Sequence, residues 1–217
     1  AVIVIPCANN SFFVDAMAAR LAEHHRIAAV VAELRGFGHS GGKRGSGDAA
    51  HPDTLFTDCR AFVRHAEWSH PNVPVLLAAH FVMAGLVFNY AKWRGADAVD
   101  GIVLLAPHFG QASRSQLRPE MRERLRDNNM IKANRLALTL AKFSGGRLGG
   151  KRRGVSLPVD DNAMSVNPML VNHFSASLVM AWNCPNPPST LRHLRIPTLT
   201  MLGGNDEFFA TDMLSWL

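Results

Sequence analysis

The residues able to do chemistry in this 217-residue sequence sit at the ends of short apolar runs. Gly38-His39-Ser40-Gly41-Gly42 spells G-x-S-x-G, a pattern that lifts a serine hydroxyl to the tip of a sharp strand-to-helix turn. A serine so placed needs a base to take its proton, an acid to orient that base, and two N–H donors for the oxyanion. His80 and His108 are conceivable bases, Asp206 a conceivable acid, and Cys7 a conceivable thiolate nucleophile. Each has a plainer reading. Lys43–Pro52 follows Ser40 with Gly, Ser and Pro, where the turn would need an immediate helix. A histidine is satisfied by one polar neighbour, and Cys7 can be a buried inert thiol. Asp206, after Gly203-Gly204-Asn205, can bond its own turn or cap the next helix.

The elements that must position these residues alternate between strand and helix. Ala1–Ile5, Ile27–Ala32, Val75–Ala79, Gly101–Ala106 and residues 197–202 are apolar runs of strand length. Such runs, apolar on both faces, suit a parallel sheet covered by helices. Phe12–His24, the run from about Asp53 to Trp68, and the stretch that follows Val75–Ala79 to about Trp93 carry helical spacing, with Asp53 as a cap. Residues 35–52 read as a loop. Between Pro107 and about Pro188 the strand signals vanish, and helical patterns appear near 119–126, 129–143 and 168–182.

Composition narrows the class. The sequence is 47% hydrophobic and 18% charged, as in a globular protein with a real core. No apolar run approaches the ~20 residues that cross a bilayer, and the first residues read as a core strand rather than a leader. Three cysteines (Cys7, Cys59, Cys184) without metal-like spacing read as reduced thiols, and the expected location is cytoplasmic. The net charge of +6 comes without a basic-aromatic pattern or a recognition module, so nucleic acid is not the expected partner.

Four stretches, in order, and one further strand end resemble the α/β-hydrolase fold, in the branch of monoacylglycerol lipases, lysophospholipases and S33-type serine peptidases. Ala1–Phe13 looks like the strand that ends in the oxyanion turn. Glu33–Gly42, ELRGFGHSGG, is similar to the D-x-R-G-x-G-x-S loop. Val75–Tyr90, VLLAAHFVMAGLVFNY, resembles the nucleophile elbow. Leu199–Phe208, LTMLGGNDEF, is similar to the strand and turn that present the triad acid, and Leu104–Gly110 looks like the strand end that leads into a lid. The resemblance implies an α/β fold: a mostly parallel sheet flanked by helices, with terminal elements missing and a helical lid insertion. The core would be 1–106 and 189–217, incomplete at both ends, and the lid 107–188.

The resemblance also assigns roles. The elbow positions are Ala79, His80, Phe81, Val82 and Met83, so Phe81 stands at the nucleophile position. A benzyl side chain cannot attack a carbonyl. With both flanking glycines replaced, the turn is expected to have relaxed; Phe81 either floors a re-purposed pocket or simply fills the old site. Asp206 falls on the acid position, and no histidine follows it in the sequence. Backbone N–H groups of Ala8 and Val82 would be the oxyanion donors, behind Pro6-Cys7 where the family has His-Gly. Ser40 would close the Arg-Gly loop. No metal or other cofactor is implied.

The implied ligand is a small apolar molecule or acyl ester, and the implied chemistry is carboxylic-ester hydrolysis. The substituted elbow argues against the Ser-His-Asp route here, and the alternative is a non-catalytic member that binds an apolar ligand or a protein partner. Phe143, Phe174, Leu178, Met180 and Trp182 either line an acyl channel or pack the lid. Arg147, Lys151, Arg152 and Arg153 either meet an anionic membrane surface, making the protein membrane-peripheral, or form a solvated loop. An unpaired sheet edge is expected to favour an edge-mediated dimer.

Overall fold

The computed structural model describes residues 1–6, 11–40, 46–94, 99–110, 116–127, 131–157, 159, 161–167, 170–210 and 212–217. In chain order these form β1 (Val2–Ile5), α1 (Ser11–His25), β2 (Ala29–Val31), β3 (Ser46–Gly47), α2 (Pro52–Ser69), β4 (Leu76–His80), α3 (Val82–Arg94) and β5 (Gly101–Leu105). They continue with α4 (Pro119–Asp127), β6 (Lys132–Ala133), α5 (Arg135–Phe143), β7 (Arg153–Ser156), α6 (Asp161–Val166) and β8 (His173–Ser175). The last are α7 (Ala176–Trp182), α8 (Pro187–His193), β9 (Thr198–Met201) and α9 (Met213–Trp216). Two compact units result. One comprises Ala1–Ala32, Cys59–Pro119 and Trp182–Leu217; the other comprises Glu33–Asp58 and Glu120–Ala181.

The first unit is built on a five-stranded sheet of order β2-β1-β4-β5-β9, parallel throughout. All five strands expected from the sequence are present, each within a residue or two of its expected bounds. β1 is buried along its whole length, which is why its sequence shows no polar alternation. Val2, Val4 and Ala78 pack on one face of the sheet with Val14 and Met17 of α1. α3 is buried at almost every position from Val82 to Ala91, as an all-apolar helix must be. β1 connects to β2 on one side and β4 lies on the other, so the strand order reverses between β1 and β4. The crevice at the carboxyl ends of such a pair is where parallel sheets place ligands.

The second unit corrects part of the sequence reading. The segment after Pro107 is not free of strands: β6, β7 and β8 form a sheet of order β3-β8-β7-β6 with β3, which lies inside the stretch read as loop. These strands are two to four residues long, too short to leave a periodic signal. The single helix expected over 168–182 is β8 followed by α7. Ser175 makes the break: its Oγ accepts from the Leu178 N–H at 3.3 Å and from the Ala49 N–H at 3.2 Å, so it caps α7 and ties β8 to the preceding segment. The helix expected from 129 begins at Arg135, where the Asn134 side chain accepts from the Ala137 N–H at 3.0 Å. α2 starts at Pro52, leaving Asp53 in its first turn rather than at its cap. Phe174 and Leu178 are buried within this unit, whereas Phe143 is 86% exposed and packs nothing there. Trp182 is buried in the first unit.

Candidate functional site

The site lies in the first unit, at the carboxyl ends of β4, β5 and β9. Phe81 is the single residue between β4 and α3. Its φ is +54°, in the left-handed region that a bulky L-residue rarely adopts. The expectation that this turn had relaxed is therefore overturned. Three bonds hold it: the Phe81 N–H donates to the Leu105 carbonyl at 3.0 Å, and the Phe81 carbonyl accepts from the His108 N–H at 3.0 Å and the Ala84 N–H at 3.1 Å. The helix behind it is close-packed. A Cβ on Gly85 would sit 2.4 Å from the Trp182 carbonyl oxygen and 2.9 Å from that of His108. One glycine of α3 thus supplies the close approach, although the positions flanking the turn itself hold Ala79 and Met83 rather than glycine.

The Phe81 ring is the centre of an aromatic cluster. Its centroid lies 5.1 Å from the His108 ring, 5.1 Å from Phe208, 6.1 Å from Phe209 and 6.2 Å from His80, all tilted. Phe13 of α1 reaches the His80 ring at 6.2 Å. Offset and tilted pairs at these distances are the favourable geometry for aromatic quadrupoles. Phe209 is fully buried, while Phe81, Phe208, His80 and His108 keep partial exposure.

Asp206 sits in the turn after β9. Its Oδ1 accepts from the N–H groups of Phe208 and Phe209, both at 2.8 Å, and its own N–H donates to the Gly203 carbonyl at 3.0 Å. The carboxylate therefore folds its own turn and aims the two phenylalanines. The turn is anchored further: the Arg118 N–H donates to the Phe208 carbonyl at 2.8 Å, the Ala210 N–H to the Gln116 carbonyl at 3.0 Å, and Leu117 bridges Phe209. Asp206 also acts through space on His80, favouring its charged form, but burial outweighs that attraction and the imidazole pKa lies below its ordinary 6.5. The buried Nδ1 of His80 has no hydrogen-bond partner among the described residues. His108 Nδ1 accepts from the Gly110 N–H at 3.1 Å.

Of the remaining expected residues, Val82 opens α3, so its N–H is one of the helix's first four without an intrahelical acceptor. Ala8 and Cys7 lie outside the described residues. Ser40 lies in the second unit. Its Oγ donates to the Glu33 carbonyl at 2.5 Å, while the His39 N–H donates to the Glu33 carboxylate at 2.8 Å. Beside them Arg35 makes a bidentate pair with Asp58, Nε to Oδ2 at 2.6 Å and Nη2 to Oδ1 at 2.5 Å. The structure brings Phe81, Val82, His80, His108 and Asp206 together and puts Ser40 in a loop-closing role. Sequence reasoning missed Phe13, Phe208 and Phe209 as parts of the site. The Phe-Phe pair two residues after Asp206 was the available signal. Among the described residues no group of three His, Cys, Asp or Glu could hold a metal ion.

A parallel sheet with helices between its strands, and a left-handed strand-to-helix elbow beside the point of strand reversal, define an α/β hydrolase. The chain belongs to the family described as serine aminopeptidase, S33, which it matches over residues 3–214. Its fold is similar to that of a monoacylglycerol lipase from Paleococcus ferrophilus, with a TM-score of 0.58 at 15% identity, over 99% of this chain and 77% of that one. It is also similar to DcsB, solved with a substrate analogue, with a TM-score of 0.59 at 16% identity, over 99% and 75%. A thermostable carboxyl esterase from Bacillus coagulans, solved with glycerol, gives a TM-score of 0.54 at 12% identity, over 97% and 83%. At such identities the likeness is one of fold. No curated protein sequence matches this one. No described helix is long and apolar enough to cross a membrane.

Proposed function

We propose that this α/β hydrolase, a relative of lipases and esterases, does not hydrolyse esters by the Ser-His-Asp route and instead binds a small apolar or acyl-ester ligand against the aromatic cluster around Phe81. One observation carries the reading. The strained backbone that presents a nucleophile is retained, and the side chain it presents is a phenyl ring, which has neither a lone pair to attack nor a proton to give up. The other parts support it. Asp206 accepts from its own turn, and burial pushes the His80 imidazole below its ordinary pKa against the pull of Asp206, its buried Nδ1 having no hydrogen-bond partner among the described residues. Among the described residues the bonds of the Asp206 side chain go to its own turn, and an acid spent on its turn does not orient a base.

The ligand class follows from the rings. Partly exposed aromatic faces gain from covering apolar surface, at about 25 cal/mol per Å² removed from water. Acyl esters are in keeping with the lipase and esterase relatives. In this reading residues 107–188 are the lid, with α5 and α7 among its helices. The Leu199 and Met201 side chains, both about half exposed on β9 at one edge of the five-stranded sheet, support pairing of two copies along that edge.

A fluorophosphonate probe and p-nitrophenyl esters of graded chain length test the chemistry. Neither labelling nor turnover is expected, and stoichiometric labelling at Ser40 or Cys7 would overturn the reading. Thermal-shift titration with medium-chain monoacylglycerols tests binding. A saturable rise in Tm is expected, reduced at least tenfold in apparent affinity by Phe81→Ser.

A further inference from the structure

We propose that the outer face of α5, with the basic turns that follow it, docks on an anionic lipid bilayer surface. The helix carries bulky apolar residues on its outer face as well as its inner one. On the inner side Ala137 and Ala141 are buried with Ala176 of α7, and the partly buried Leu138 packs against them. Two further large apolar residues face solvent. Leu136 is 63% exposed and Phe143 86% exposed, and a spacing of seven residues, two turns, puts them on one face. A helix whose only role was to cover its own core would carry polar residues at these two outer positions.

The segment that follows adds charge and a third apolar side chain. Ser144 Oγ accepts from the Leu148 N–H at 2.8 Å, which fixes Leu148, 62% exposed, beside the helix end. The chain then returns along α5: a Cβ on Gly149 would lie 2.9 Å from the Ala137 carbonyl oxygen, and the Arg152 N–H donates to the Gly149 carbonyl at 2.9 Å. The basic cluster is therefore held in hydrogen-bonded turns against the helix, not strung on a bare loop. Residues 128–159 contain seven Lys or Arg and no Asp or Glu. All seven (Lys132, Arg135, Lys142, Arg147, Lys151, Arg152 and Arg153) are exposed, and none is in an ion pair among the described residues.

Exposed bulky apolar groups ringed by unpaired cations, with no anion among them, match the boundary between phosphate headgroups and acyl chains. The headgroups take the cations and the acyl boundary takes Leu136, Phe143 and Leu148. A nucleic acid would use the charge and leave the aliphatic groups in water.

Vesicle flotation of the full chain tests this, with phosphatidylcholine alone against phosphatidylcholine containing phosphatidylglycerol. Binding is expected only with phosphatidylglycerol, and raised salt should weaken it strongly. Lys142→Glu with Arg147→Glu should weaken it by more than tenfold, at roughly fivefold or more per charge removed. Leu136→Ser with Phe143→Ser should cost roughly tenfold or more while leaving Tm unchanged, because both side chains are exposed. Absence of phosphatidylglycerol-dependent binding would overturn the proposal. So would binding indifferent to the two serine substitutions, or a single-stranded oligonucleotide that displaces the vesicles and itself binds the serine variant undiminished.

Discussion

Two turns in this molecule divide between them what an esterase keeps in one. The loop Glu33–Ser40 has the letters: Gly38-His39-Ser40 opens a G-x-S-x-G sequence. Its serine is turned back on the Glu33 carbonyl, and no helix follows within the described residues up to Pro52. The turn at Phe81 has the geometry: a left-handed residue, a strand entering and a helix leaving at once. It lacks the hydroxyl. A nucleophile elbow is thus a property of backbone and packing, and a motif is only its usual trace. The comparison also shows which part is hard to lose. The elbow is fixed by three backbone bonds and by the approach of α3 to the carbonyls of His108 and Trp182. Replacing one side chain at its tip leaves all of these standing.

Substitutions can break or sharpen this contrast. The largest effect is expected at Gly85. Gly85→Ala places a methyl group 2.4 Å from a backbone oxygen that cannot rotate away, so the helix or the strand-end loop must shift. A loss of about 2–3 kcal/mol is expected in denaturant unfolding. An unchanged midpoint would mean that the elbow is looser than its contacts show.

Next is the strain at the tip itself. Phe81→Ala removes the ring contacts and keeps the left-handed φ; Phe81→Gly removes both the ring and the strain. The glycine variant should be more stable than the alanine variant by about 1 kcal/mol. The opposite order, which glycine's looser unfolded chain alone would give, would show that the turn relaxes once the ring is gone.

A smaller effect separates the other turn. Ser40→Ala loses one hydrogen bond to the Glu33 carbonyl and should cost about 1 kcal/mol. Any esterase or probe reactivity that vanished with it would return Ser40 to the catalytic role denied above.

The smallest is a pH effect. Burial holds His80 below 6.5 in the fold. A depressed folded pKa leaves stability intact above the unfolded value and removes it as pH falls from there towards the folded value. Between about pH 7 and pH 5 the wild type should therefore lose more Tm than His80→Gln, which carries no such group. Parallel curves would mean that His80 is equally solvated folded and unfolded.

How much was legible beforehand depends on element length and range. β1, β4 and β5 are apolar on both faces, so four or five residues announced each. β3, β6, β7 and β8 were illegible because two to four residues cannot establish a period, and their pairing is decided by partners as far apart as Ser46 and His173. Ser175 shows the same limit. Its role as a cap and as an acceptor for Ala49 depends on a residue 126 positions away.

The identity of the residue at the elbow was written in the sequence: a strand, a histidine, Phe81 and a buried helix fix that no hydroxyl stands there. What the sequence could not decide was whether the bend survived its loss of glycines. Local preference argued for relaxation, since a phenylalanine at positive φ costs free energy by itself. The tertiary structure holds it there: Leu105 and His108, distant in sequence, bond its backbone, and Trp182 closes on Gly85 of the helix behind it. The same holds for Asp206. Its position after β9 was readable, but that its carboxylate aims Phe208 and Phe209 at the ring of Phe81 is a consequence of three strand ends meeting in space.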